Sequence, residues 1–115
     1  MFHKYQVNVT RIVDGDTVDV EIDLGFHTFK KERLRLWGIN APERRGSSRL
    51  AGTAATEHLS KLIEEHGPVY IETIRHRDAD KQGKYGRYLA VIYGRDGLNL
   101  NRQMVENGHA VTEEY

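Results

Sequence analysis

Residues 14–24 read Asp14-Gly15-Asp16-Thr17-Val18-Asp19-Val20-Glu21-Ile22-Asp23-Leu24. From Asp16 onward the alternation has a period of two. Val18, Val20, Ile22 and Leu24 fall on one face, and Asp19, Glu21 and Asp23 on the other. That pattern predicts a strand over 16–24 with one buried side. Asp14-Gly15 marks the turn that leads into it. Asp16 is in phase with Val18, so its carboxylate points to the buried face at the strand end. A charge there is costly unless it is paired or bound to a metal. Taken alone, the motif is also accounted for by ordinary turn chemistry.

Outward from this strand, residues 5–13 are β-branched and polar in loose alternation and predict a strand before it. Gly25 breaks the second strand, and a third is expected from about 28 to 39. The period then changes. Ala51, Ala54, Ala55, Leu59, Leu62, Ile63 and His66 form one stripe of an amphipathic helix. Ser47, Ser48 and Thr53 are candidate caps at its start. His66-Gly67-Pro68 ends it, with Gly67 expected in a left-handed C-cap. A fourth strand is predicted over 69–74, a charged loop over 78–86 and a fifth strand over 87–93. A short helix over 99–107 stops at Gly108. Three strands, helix, two strands and helix is the order of a five-stranded OB-fold barrel, mainly β with α.

The chain has 115 residues and room for one core, so residues 1–115 are expected to form a single domain. The absence of cysteine excludes disulfides and thiolate metal sites. No apolar run spans a bilayer, so no membrane partner is expected. Met1-Phe2-His3-Lys4 has no apolar core of a signal, so no secretion signal is expected. The net charge of zero conceals a segregation. Segments 30–49 and 75–87 carry 12 Lys+Arg against 4 Asp+Glu, and the remainder carries 5 against 13. One side is therefore basic and suited to a polyanion.

The charged residues at strand ends carry the chemistry. Arg87 is in phase with Leu89, Val91 and Tyr93, and Arg35 with Trp37 and Ile39. A guanidinium on an apolar face needs a carboxylate or phosphate. Pro42 forces the chain out of the third strand and places Glu43 in a loop beside Arg44 and Arg45. Glu43 can be salt-bridged there or serve as a general base. Phosphodiester cleavage needs such a base and positive charge on the phosphate oxygens, and it often adds a metal. Asp16, Arg35, Glu43 and Arg87 supply those parts as a set. Lys81-Gln82-Gly83-Lys84-Tyr85-Gly86 combines cations, an aromatic and glycines, which suits a phosphate or a stacked base. His58 and His66 stand eight apart without a HExxH pattern, and neither a Walker loop nor GxSxG occurs.

Four segments carry a resemblance. They are Ile12-Val13-Asp14-Gly15-Asp16-Thr17-Val18, residues 33–43 (Arg33-Leu34-Arg35-Leu36-Trp37-Gly38-Ile39-Asn40-Ala41-Pro42-Glu43), Lys84-Tyr85-Gly86-Arg87, and residues 99–108. In order and spacing the chain resembles the staphylococcal nuclease (thermonuclease) family, as a short member. The resemblance implies an OB-fold barrel and Ca²⁺-dependent hydrolysis of DNA and/or RNA. It implies Asp16 as a calcium ligand, Ala41 as a ligand through its carbonyl, and Glu43 as the residue that activates water. Arg35 and Arg87 would hold the phosphate, with Lys84 and Tyr85 near it. Asn40 stands where the best-known members carry a second ligating aspartate. Its amide oxygen is still a hard ligand but brings no charge, so weaker calcium binding is expected. The resemblance also implies a third helix in longer members beyond the position of Tyr115, and any aromatic wall is expected from Tyr85 and Tyr115. The expected substrate is single-stranded or flexible nucleic acid, bound by a monomer. The rival expectation is an OB barrel that binds nucleic acid with weak or no cleavage.

Overall fold

The computed structural model describes residues 4–74 and 88–113. Among these residues, seven strands and two α-helices form: β1 Lys4–Asp14, β2 Thr17–Asp23, β3 Phe29–Leu36, β4 Ile39–Asn40, α1 Arg49–His66, β5 Val69–Thr73, β6 Tyr88–Tyr93, α2 Leu100–Glu106 and β7 Val111–Thr112, with a 3-10 turn at Gly46–Ser48 leading into α1. The long strands close into a barrel in the order β1-β2-β3-β6-β5, with β5 returning to β1. Only β3 and β6 run parallel, and the other neighbours are antiparallel. This is the five-stranded OB-fold barrel, with α1 between its third and fourth long strands.

The alternation in β2 builds the barrel interior. Val18, Val20 and Ile22 are buried, as are Leu34 and Leu36 from β3, Ile71 from β5 and Ile92 from β6. Leu24 lies past the end of β2 and is largely exposed, against its expected place on the buried face. In β6 Leu89, Ala90, Val91 and Ile92 are all buried. Period two carries no facing information there, because α2 covers the side that the barrel does not.

α1 closes the barrel with Gly52, Ala55, Leu59 and Leu62. Ala51 and Ala54 are exposed, so the helix is rotated in its first turn from the expected stripe. Ser48 stands at the N-cap but caps no helix N–H; its hydroxyl donates to the carbonyls of Glu43 and Arg45. At the far end Gly67 is extended rather than left-handed. Arg95 supplies what a left-handed glycine would have supplied: its guanidinium donates to the carbonyls of Glu65 and Gly67, and its N–H to that of His66. α2 behaves as expected. The Asn99 side chain caps the Arg102 N–H at 3.0 Å, and Gly108 ends the helix at φ +81°.

The expected third strand is two strands. It breaks at Trp37-Gly38, where Gly38 takes φ +79°. The short β4 that follows leaves the barrel and pairs with β7, matching Ile39 to Thr112 and Asn40 to Val111. Asn101 fixes the bend. Its amide donates to the carbonyls of Trp37 and Ala90 at 2.9 and 3.1 Å, and its oxygen accepts from the Ile92 N–H. No helix among the described residues is long and apolar enough to cross a membrane.

Candidate active site

The site lies where the β1–β2 turn meets the β3–β4 bend. β2 opens beside the end of β3, with Thr17 opposite Arg35, and the Asp16 carbonyl accepts the Leu36 N–H at 2.8 Å. Gly15 allows the turn to sit low. A Cβ on it would come within 2.9 Å of the Cβ atoms of both Ala41 and Ala55. The turn therefore packs directly on α1 and on the chain leaving β4.

Asp16 is buried, as its phase with Val18 requires. Its carboxylate accepts from the Thr17 hydroxyl at 2.9 Å and from the Ala41 N–H at 2.8 Å, and the Arg35 guanidinium lies 3.3 Å away. The side chains of Asp16 and Arg35 are only 10% and 12% exposed, so the pair is shielded from water. Arg35 also donates to the carbonyls of Leu36 and Ile39, to Asn40 Oδ1 at 3.3 Å and to Glu113 Oε2 at 3.1 Å.

The reason Arg35 is covered differs from the strand-phase argument. On β3 it faces away from the buried Leu34 and Leu36. The bend at Trp37-Gly38 breaks its phase with Ile39, and the chain from 36 to 41 folds back over the guanidinium. The guanidinium is held by the Asp16 and Glu113 carboxylates together with the Leu36 and Ile39 carbonyls, and it does not lie on an apolar sheet face.

Asn40 and Ala41 stand beside this pair, Ala41 through its N–H on Asp16 and Asn40 through its amide oxygen on Arg35. Glu43 lies further out. Its side chain is 67% exposed and pairs with the still more exposed Arg45 at 3.3 Å. Arg87, Lys84 and Tyr85 lie outside the described residues. Asp16, Arg35, Asn40 and Ala41 are thus brought together, and Glu43 occupies the rim.

Three contributors escaped the sequence reading. Asp14 lies 3.8 Å from Arg44, and burial, followed by the charge of Asp16, raises its carboxyl above the ordinary range; Glu43 adds to that rise. Asp14 therefore feels the charges of both Asp16 and Glu43, although among the described residues no three His, Asp or Glu side chains converge as a ready metal cage. Gly52 is the second. A Cβ there would drive into the Glu43 carbonyl and within 2.6 Å of the Arg44 nitrogen, so α1 presses against the backbone that carries Glu43. A glycine inside a helical stripe was its signal. Glu113 is the third, 78 residues from the arginine it contacts, and it had no signal.

Comparison with known proteins gives the family. The family model described as Staphylococcal nuclease homologue matches residues 33–115. A protein of Escherichia coli O157:H7 named an uncharacterized endonuclease is 35% identical over 108 residues, covering 93% of this chain and 61% of that protein. The micrococcal nuclease of Shigella flexneri is 32% identical over 119 residues, covering 96% of this chain and 60% of that protein. Endonuclease YhcR of Bacillus subtilis is 24% identical over 117 residues, which are 95% of this chain and 9% of that protein. The chain thus spans about three-fifths of the first two. The matched segment takes in well over half of the sequence, and this chain belongs to the staphylococcal nuclease homologue family.

Proposed function

We propose that this chain is a Ca²⁺-dependent nuclease that hydrolyses phosphodiester bonds of single-stranded or flexible DNA and/or RNA, acting as a single 1–115 domain and as a monomer. The observation that carries the reading is the buried Asp16 carboxylate 3.3 Å from Arg35, with Asn40 and Ala41 closing around the pair. Family membership gives the reaction class.

The donor chemistry fits calcium. The Asp16 carboxylate, the Asn40 amide oxygen and the Ala41 carbonyl are all hard oxygen ligands, with the Asp14 carboxylate close by. These residues would hold the ion. Bound there, calcium would offset charge on the phosphoryl oxygens. Arg35 would orient one phosphate oxygen through its fork, and Arg87 would stabilise the charge that develops as the bond breaks. Glu43, on the rim and open to solvent, would take a proton from the attacking water. Lys84 and Tyr85 would hold the neighbouring phosphate and base.

The test is cleavage of a single-stranded oligonucleotide with calcium, with chelator, and by the Arg35→Ala variant. Calcium-dependent cleavage lost in Arg35→Ala is expected. Undiminished cleavage in chelator would refute the mechanism. Salt-sensitive binding without cleavage would instead favour the rival reading, an OB barrel that only binds nucleic acid.

A further inference from the structure

Arg35 is the side chain that the proposed function assigns to the substrate phosphate, and its guanidinium already has acidic and amide partners. Its Nη2 faces Glu113 Oε2 at 3.1 Å and Asn40 Oδ1 at 3.3 Å. Nη1 is directed inward to the carbonyls of Leu36 and Ile39 and to Asp16. Of the two ionic partners, Asp16 is buried whereas Glu113 is 39% exposed. The outward side of the guanidinium is therefore the side closed by Glu113.

Glu113 is not a loose tail side chain. β7 pairs with β4 immediately before it, and its own N–H donates to the Gly38 carbonyl at 2.8 Å. The bend that encloses Arg35 thus also presents the carboxylate to it. A carboxylate and a phosphodiester both offer a pair of anionic oxygens to an arginine fork. Both N–H groups of Nη2 are directed to acceptors, Glu113 and Asn40, so a phosphate oxygen reaches this nitrogen by displacing one of them, and the like charges of phosphate and carboxylate repel. Glu113 can swing into water by side-chain rotation alone while its backbone stays bonded to Gly38.

Resting on the reading of Arg35 as a phosphate holder, we propose that Glu113 is a built-in competitor for the phosphate seat and sets the specificity of the site. A phosphodiester displaces it because that ligand gains further contacts across the site. A lone weak anion does not. Apparent affinity is reduced by the fraction of molecules in which Arg35 is occupied.

The experiment measures binding, not cleavage. A phosphorothioate-linked tetrathymidylate is titrated into the full chain, in calcium, by fluorescence anisotropy. Glu113→Gln is expected to bind it about 5- to 10-fold more tightly than the parent. The gain should vanish when Arg35→Lys is added, which keeps the charge but loses the fork. If Glu113→Gln binds no better while Arg35→Lys binds worse, the competitor role is overturned and the phosphate role of Arg35 stands. If Arg35→Lys and Arg35→Ala bind as the parent does, both fall. Calorimetric titration with calcium alone separates a different role, since weaker calcium binding in Glu113→Gln together with weaker oligonucleotide binding overturns the proposal. A purely structural pair would lower the melting temperature of Glu113→Gln and leave its affinity unchanged, which also overturns it.

Discussion

The Ala41 N–H donates to the Asp16 carboxylate at 2.8 Å, so the same carboxylate that pairs with Arg35 also holds the chain leaving β4. Asp16 is therefore both a structural clamp and a site residue, and two substitutions separate the roles. Asp16→Ala removes the acceptor for Thr17 and Ala41 and the buried partner of Arg35, and should cost about 3 kcal/mol of stability in urea denaturation. Asp16→Asn keeps an oxygen for Ala41 while losing the charge. It should unfold at higher urea than Asp16→Ala yet lose calcium-dependent cleavage just as fully.

Glu43 should behave in the opposite way. Its ion pair with Arg45 is exposed on both sides and contributes little to the fold. Glu43→Gln is expected to change stability by less than about 0.5 kcal/mol. If Glu43 is the base, cleavage in the same preparation falls about 10²- to 10⁴-fold. A parallel loss of stability and activity would show that Glu43 acts through the fold.

Gly52 has no Cβ to strike the Glu43 carbonyl, and α1 approaches the loop through that gap. Gly52→Ala raises helix propensity but forces the helix and the Glu43–Arg44 backbone apart. Overpacking of this kind costs about 1–3 kcal/mol. The displacement also moves Glu43, so kcat should fall by at least about tenfold. Thr53→Ala, one residue along on the exposed face of the helix, is the control and should leave both quantities unchanged.

His58 gives the fold a pH dependence. Its ring stacks on His109 with centroids 4.4 Å apart, and its Nε2 lies 2.8 Å from the Asn107 amide. Burial pushes its pKa down, and the neighbouring His109 and Lys61 push the same way against Glu65. With the folded pKa below the unfolded value, the unfolded chain binds the proton first as pH falls. Stability is full above about pH 6.5 and is lost as acid takes the pH down towards the folded value. Melting temperatures at pH 7.5, 6 and 5 should fall less steeply for His58→Gln than for the parent. Equal slopes would remove His58 as the cause.

Much of this was legible in the sequence. The period of two through Val18, Val20 and Ile22 gave the strand and the inward direction of Asp16, because a strand's side chains must alternate whatever surrounds it. Asn99 and Gly108 bounded α2 by local hydrogen bonding and backbone freedom alone. Arg35 does meet the carboxylates that its charge required, Asp16 and Glu113, but not through strand phase, because the bend at Gly38 resets the alternation between Arg35 and Ile39. The C-cap at Gly67 failed similarly, since Arg95 arrives from a distant turn to take the helix carbonyls.

The sequence by itself determined the order of the five long strands and two helices and the buried carboxylate at the start of β2, which rest on neighbours within a few residues, and the family signature, which rests on short segments taken in order. Only the tertiary structure decided that Glu113 closes on Arg35 and that Gly52 admits the Glu43 loop. Those contacts are made by residues far apart in the chain, or by a side chain that is missing. Their energies depend on which surfaces the barrel brings together, and no local period records that.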